Sequence, residues 1–513
     1  MRGRDSARAG LRTILPSNLL GAAPTRPMEQ ADDDQIFTSA ELPTTQRTLI
    51  DLSGTPRVVS SEELRQSVHA VATALRAAGT LPRTSVGLLA ERSAAYIAAQ
   101  LAIWQLGAAI LPLDPAAPRE RLLLQIDHAR PSAIITDAVE LPTVTCAVVS
   151  LAGTLLRAGT QDAFRLPEGV SHVLFTSGST GTPKAVLGSR RGLVARCRWM
   201  WRSYPFADGE VCVQKTPSVF VDSLWETFGP LVRGVPLVVA PSSAVRDPQR
   251  LLAVLEEYQV SRIVLVPAAL RLLLDAAEAS AASPLRALRL LSVSGDALPM
   301  ALAARAVRLL PHARLLNLYG STEVSADVTS FDVGAALATG SPLPAICPLG
   351  TPIAGAVVRL LQPAAAGDDD EAAEAVAADD GAAGEIAVSG ELLALGYLRA
   401  PALTAARFVR LRGEGGVWFR TGDLAEWREG ALVFLGRVAG DWQLKLRGAR
   451  VEPREVEASY EGFTHRGRPL RAAIAVPLLA DTSGTGVRSA DELCLCFCLG
   501  SDESGDESGG PRL

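Results

Sequence analysis

From about residue 60 onward, short uninterrupted apolar runs alternate with helical patterns, and this alternation narrows the fold more than any other feature of the chain. Val86–Leu89, Ala109–Leu113 and Ala133–Thr136 read as buried strands with helices between them. Arg262–Val266 and Leu288–Val293 repeat the style on either side of the helical Leu270–Ala279. Strands separated by helices of this length predict an α/β fold, a mainly parallel sheet covered by helices. Glu62–Ala78 carries Leu64, Val68, Val71 and Leu75 at helical spacing and stops at Gly79. The charge-free stretch Ala94–Leu113 is broken by Gln100, Gln105, Gly107 and Pro112. It predicts a buried helix followed by a buried strand, not the ~20 continuous apolar residues of a membrane span.

The length, 513 residues, allows about three domain-sized units, or a large domain with a smaller one. A net charge of −5 gives no basis for binding nucleic acid or an anionic membrane. Seven cysteines form no disulfide framework, and an odd number fits a reducing compartment, so the expected location is cytoplasmic. Cys494, Cys496 and Cys498 alternate with Leu495 and Phe497, which predicts a strand; no second Cys/His cluster is at hand to complete a thiolate metal site. Residues 1–34 read as a leader. The part from Met1 to about Pro27, rich in Arg, Ser and Ala, has the composition of an organellar transit peptide or of a disordered segment ahead of a start at Met28. Pro363–Ala383 is an acidic, Ala-rich insertion between strands, and 500–513 is a polar tail. Strands resume at Glu385–Val388, Gly416–Phe419 and Ala431–Leu435. Only three lysines occur, Lys184, Lys215 and Lys445, so few positions can supply an ammonium group.

The strongest local signal is Leu174-Phe-Thr-Ser-Gly-Ser-Thr-Gly-Thr-Pro-Lys184. An apolar strand, His172–Phe175, runs into a loop of small hydroxyl and glycine residues that ends in a lysine. Thr176, Ser177, Gly178, Ser179, Thr180 and Gly181 let backbone N–H groups and hydroxyls approach phosphate oxygens, and Lys184 adds a compact positive charge. Lys184 follows Pro183 and precedes Ala185, so this is not a Walker A loop; nor does it contain the G-x-S-x-G elbow of a serine hydrolase.

This run resembles the phosphate-binding signature of the adenylate-forming, AMP-binding superfamily, which holds acyl-CoA synthetases and the adenylation domains of peptide synthetases. Other motifs follow in that family's order: Leu106-Gly-Ala-Ala-Ile-Leu-Pro-Leu-Asp-Pro115, Asn317-Leu-Tyr-Gly-Ser-Thr-Glu323, a segment from Gly384 ending in Gly396-Tyr-Leu-Arg-Ala-Pro401, Phe419-Arg-Thr-Gly-Asp-Leu424, and Gly436-Arg437 through Arg447-Gly448. The resemblance implies ATP and Mg²⁺ as cofactors. It implies that Asn317 and Gly320 shape the adenine site, that Tyr319 stacks on adenine while Gly295, Asp296 and Ala297 line its edge, and that Thr322 reaches the α-phosphate. Glu323 would hold Mg²⁺, Asp423 would bind the ribose with help from Arg437, and Asp441 would be a hinge between domains. The implied reaction is attack of a carboxylate on the α-phosphate of ATP, giving an acyl-adenylate and pyrophosphate. Capture by the thiol of coenzyme A or of a carrier protein's phosphopantetheine follows.

The acid pocket is read by the same transfer. Phe220-Val-Asp-Ser-Leu-Trp-Glu226 places an acid one residue beyond the position used by α-amino-acid-activating domains. With Val264, Ser292, Ser294, Leu318, Ala326 and Asp327, the set opening on Val221, Asp222 and Trp225 resembles the pocket pattern of β-alanine-activating domains. The segment from Arg191-Gly-Leu-Val-Ala-Arg-Cys-Arg-Trp-Met200 through Tyr204-Pro-Phe206 resembles β-alanine-activating enzymes of the acyl-CoA synthetase family member 4 type and their plant relatives. Two carboxylates, Asp222 and Asp327, among apolar groups suit a short amine one carbon further from the carboxyl, since a buried unpaired ammonium is costly. The alternatives are an acyl-CoA synthetase for another small acid and a non-catalytic nucleotide-binding remnant.

The chain departs from the family at three points. Ala185 stands where glycine is usual, and two extra residues precede Asp441. No lysine follows Lys445, whereas family members carry one in a small C-terminal domain, and arginine does not substitute for it conservatively. The expected layout is an AMP-binding domain over 35–436, an incomplete α+β C-terminal domain over 437–499, and the tail.

Overall fold

The computed structural model describes residues 49–138, 144–160, 162–177, 183–280, 285–340, 342–361, 375–376, 381, 383–438, 444–446, 449–451, 464–465, 468–480 and 489–499. The leader, Gly178, Ser179, Thr180, Gly181, most of the acidic insertion, Asp441 and the tail lie outside them.

Two large sheets carry the α/β pattern. In the seven-stranded sheet, Ala147–Val149, Ala133–Thr136, Ser85–Leu89, Ala109–Leu113 and β1 (Val170–Thr176) run parallel, and β2 (Lys184–Ser189) closes one edge antiparallel to β1. Helix α1 (Arg190–Ser203) begins directly after β2, with the Ser189 hydroxyl accepting from the Gly192 N–H. In the nine-stranded sheet the strand after helix α2 (Asp222–Val232), Leu237–Val239, lies between Leu49–Asp51 and Cys212–Gln214. Beyond Cys212–Gln214 come β3 (Arg262–Leu265), β4 (Leu290–Val293) and β5 (Arg314–Tyr319), all parallel, with Val264 beside Ser292 and Val293 beside Asn317. A third, antiparallel sheet contains β6 (Trp418–Arg428) and β7 (Ala431–Arg437).

Each expected strand of the parallel sheets is present within a residue or two of its predicted bounds. The charge-free stretch is helix Ala94–Gln105 followed by strand Ala109–Leu113, both nearly fully buried. Ser61–Ala77 starts at a capping box in which Ser60 and Glu63 satisfy each other's backbone N–H groups. Among the described residues no helix is long and apolar enough to cross a membrane. Cys494, Cys496 and Cys498 fall in strand Ser489–Leu499, which pairs with Arg468–Ala480.

The sheets meet through a core in which Phe228 of α2 packs on Trp104, ring centroids 4.4 Å apart, and the Trp104 indole donates to the Ser171 carbonyl. Phe228 is 1% exposed. Phe228→Ala leaves a cavity there and lowers stability by about 3–5 kcal/mol, read as a lower urea midpoint at unchanged slope.

Candidate active site

The candidate residues collect at the C-terminal ends of the parallel strands, where open α/β sheets bind ligands. β1 ends at Thr176 and Ser177, the described entrance to the phosphate loop, and Lys184 re-enters the sheet as the first residue of β2, opposite Thr176. β4 leads into Gly295, Asp296 and Ala297, with the Asp296 carboxylate accepting from the Ala297 N–H at 2.7 Å. β5 ends at Tyr319, and a tight turn follows. A Cβ on Gly320 would sit 1.9 Å from the Ala326 carbonyl oxygen, so no larger residue fits there. Thr322 and Glu323 open a single 3-10 turn, and Ser325 and Ala326 then take left-handed backbone. The Asn317 amide is used to hold the Pro348 carbonyl, at 2.8 Å.

Two anchors fix this turn. The Ser325 hydroxyl donates to the Leu392 carbonyl, and the Ala394 N–H donates to the Glu323 carbonyl. The Tyr397 hydroxyl then donates to Glu323 Oε1 at 3.0 Å, orienting a carboxylate with no exposed surface. The sequence contained Tyr397 in a recognised motif, but gave no sign that the segment reaches back to Glu323.

On the third sheet, Glu385 accepts from Arg420 and from the Gly422 N–H at a bulge in the pairing of β6. Just beyond lies Asp423, whose carboxylate accepts from the Tyr319 hydroxyl at 2.7 Å on one oxygen and from the Arg437 guanidinium on the other. Burial, and the charge of Asp423 next to it, push the Tyr319 hydroxyl well above its ordinary pKa, so it stays protonated as a donor. The aromatic face, the carboxylate and the arginine expected for a nucleoside are thus joined into one unit. The hydroxyl oxygens of Thr176 and Ser321 are closed off from solvent and bond to nothing among the described residues. Such donors in the phosphate motifs fit a ligand rich in acceptor oxygens. Glu323 is a single carboxylate, and among the described residues no group of three or more His, Cys, Asp or Glu side chains is placed to hold a metal ion. This suits Mg²⁺, which is commonly bound through one or two carboxylates plus phosphate oxygens.

Of the other eight acid-pocket candidates, six lie around Trp225. Val221 and Ala326 pack with it beside Leu174, Leu318 belongs to a core that packs against it, and Val264 and Ser292 line a cavity of about 40 Å³ that it also borders. The Trp225 indole N–H donates to Asp222 Oδ1 at 2.9 Å. Asp327 differs from the expectation of two carboxylates free for one amine. It has no exposed surface, and its Oδ2 accepts two hydrogen bonds from the equally buried Arg196, at 3.0 and 2.7 Å, while Ser294 donates to Oδ1 at 2.8 Å. A carboxylate buried this deeply needs a partner charge, and α1 supplies it. Among the described residues Asp222 has no ion pair, and its one side-chain bond is to Trp225. Burial first, then the charge of Asp327, push its carboxyl up to about 7, against the opposing effects of Trp225 and Arg196.

The sequence profile described as AMP-binding enzyme matches residues 37–398. The chain is a member of the AMP-binding, adenylate-forming enzyme family. It is 35% identical over 437 residues to enterobactin synthase component F of Escherichia coli (strain K12), covering 83% of this chain and 32% of that protein. It is 33% identical over 408 residues to the beta-alanyl-bioamine nonribosomal peptide synthetase ebony of Drosophila melanogaster, covering 72% of this chain and 43% of that one. The chain therefore spans less than half the length of either relative. Among solved structures, that of IdnL1 superposes with a TM-score of 0.73 at 27% identity, covering 93% of both chains. ATP-dependent adenylation of an acid is the chemistry of this family of ligases.

Proposed function

We propose that this protein activates β-alanine, or a small acid of the same charge, as an acyl-adenylate with release of pyrophosphate. The observation that carries this reading is Asp222: a carboxylate at the start of α2, bonded to an indole and without an ion pair among the described residues. A substrate ammonium supplies the missing charge. The likeness to a relative named for β-alanyl transfer supports the same substrate.

In the proposed reaction a substrate carboxylate oxygen forms a bond to the α-phosphorus of ATP, and the bond from that phosphorus to the bridging oxygen of pyrophosphate breaks. The protein's part is positioning and charge stabilisation. Asp222 would hold the amine so that the carboxylate points toward Thr322. Tyr319, Asp423 and Arg437 would hold the nucleoside, with Gly295, Asp296, Ala297, Asn317 and Gly320 shaping its surroundings. Lys184, Thr176, Ser177 and the residues up to Gly181 would bind phosphate oxygens. Glu323 would hold Mg²⁺, which when bound neutralises charge on the phosphates. The adenylate would then pass to a thiol, on a carrier protein's phosphopantetheine or on coenzyme A, with Asp441 as the hinge between the two half-reactions.

Tyr397→Phe removes one hydrogen bond to the Glu323 carboxylate and leaves the packing in place. It slows ATP–pyrophosphate exchange by about tenfold, as expected for losing a bond to a charged group, and raises the Mg²⁺ needed for half-maximal rate. The function itself is tested by exchange with a panel of small acids. Exchange that needs β-alanine and is weak with propionate supports it; nucleotide binding without exchange for any acid would overturn it.

A further inference from the structure

Arg196 is a buried charge that the proposed reaction does not use. It projects from the middle of α1 with no exposed surface, its guanidinium 4.3 Å from the centroid of Trp225 and 4.8 Å from that of Trp199. Both of its bonds to protein go to Asp327 Oδ2, through Nε and Nη2, and Nη1 has no partner among the described residues. Trp225 therefore links the two acids. One ring face lies on the guanidinium that holds Asp327, and its N–H holds Asp222. Behind Asp222, Glu226 accepts from the backbone N–H groups of Lys215 and Thr216, and the Lys215 ammonium lies in the field of both Glu226 and Asp222. Asp327 is thus paired with Arg196 and Glu226 lies in the field of Lys215 and Arg92, while Asp222 has no ion pair among the described residues.

We propose that Arg196 sets the charge of the acid pocket: by pairing with Asp327 it leaves Asp222 as the one pocket carboxylate without an ion pair among the described residues, so that the pocket selects a small acid carrying one ammonium group over uncharged acids and over acids carrying two. The proposal rests on the reading of the residues around Trp225 as the acid pocket. Arg196 is a positioning residue that acts through Asp327 and Trp225. The charged groups facing Asp222 are Asp327, Arg196, Glu226 and Lys215. Asp222 must be ionised to hold an ammonium, so binding of β-alanine reaches its full strength about one unit above the Asp222 pKa of about 7 and is lost as pH falls through it. Arg196 lowers that pKa, and removing it moves the acid limb upward.

The test compares the wild-type chain with Arg196→Met and Arg196→Lys in ATP–pyrophosphate exchange across pH, with β-alanine, propionate and 2,3-diaminopropionate. In parallel, the Trp225 indole N–H resonance, assigned with Trp225→Phe, is followed across pH without substrate. The acid limb for β-alanine and the Trp225 resonance should both move up by at least about one unit in Arg196→Met, the size of effect expected from losing an adjacent opposite charge. At pH 7 kcat/KM for β-alanine should then fall at least about fivefold through KM, with propionate little affected. Arg196→Lys should restore most of the limb. Equal losses for β-alanine and propionate, with the limb and the resonance unmoved, would make Arg196 a packing residue and overturn the proposal. If the wild-type chain exchanges with no acid while the Trp225 titration still shifts between variants, the substrate reading fails and the charge assignment stands.

Discussion

Asp222→Asn raises the KM for β-alanine by about a hundredfold or more at pH 8, leaving the KM for ATP within about threefold, because losing one partner of a buried charge pair costs about 2–5 kcal/mol. Asparagine keeps the shape of aspartate, and its carbonyl can still accept from the Trp225 indole, so the start of α2 is preserved. What is lost is the charge. The same substitution should leave propionate activation, however slow, nearly unchanged, since that acid brings no ammonium to be held. A variant that still prefers β-alanine over propionate would place the amine elsewhere. The effect is read as the ratio of kcat/KM for the two acids in exchange, which cancels any difference in the amount of active protein.

Glu323→Gln produces the other large effect, on rate and not on acid affinity. The glutamine carbonyl can still accept from Tyr397, so the turn after β5 keeps its anchor. The negative charge that would hold Mg²⁺ is gone. Exchange is expected to slow by about 10²–10³-fold, the size seen when one preorganised charge-stabilising contact is removed, with the Mg²⁺ midpoint raised and the KM for β-alanine unchanged. A Glu323→Gln protein with normal Mg²⁺ dependence would show that the metal is held elsewhere.

These two residues were legible in the sequence because each sits in a motif with fixed spacing, and motif spacing survives without knowledge of the fold. The parallel strands were legible for a different reason. Ser85–Leu89, Ala109–Leu113 and Ala133–Thr136 are buried on both faces, so their sequences are continuous apolar runs between helices. The antiparallel parts were harder. β6 was expected only as Gly416–Phe419, since its second half carries the charged Asp423, Glu426 and Arg428 and breaks the apolar run. The Ala375–Val376 pairing to Ala356–Leu361 lies inside a segment read as a loop from composition alone.

Arg196 was not legible as a site residue at all. Helix α1 also carries Arg190, Arg191, Arg198 and Arg202, and most of its length is buried, so no periodic pattern marks one arginine as the partner of an acid 131 residues away. Its pairing with Asp327 follows from the packing of α1 against the turn after β5, which spacing in the chain does not encode. The Tyr397 bond to Glu323 was hidden for the same reason, being made across 74 residues. The sequence showed which acids were present. Which of them already had a counter-charge depended on tertiary contacts, and that changes the inferred pocket from two available carboxylates to one.

The most direct test of the account is ATP–pyrophosphate exchange by this chain at pH 8, with β-alanine set against propionate at equal concentration. The account predicts exchange well above the no-acid background with β-alanine, and at least about a hundredfold lower kcat/KM with propionate, the cost of leaving Asp222 without a cation. Equal exchange with both acids would contradict the pocket assignment, and ATP binding with no exchange for either would contradict the assigned chemistry.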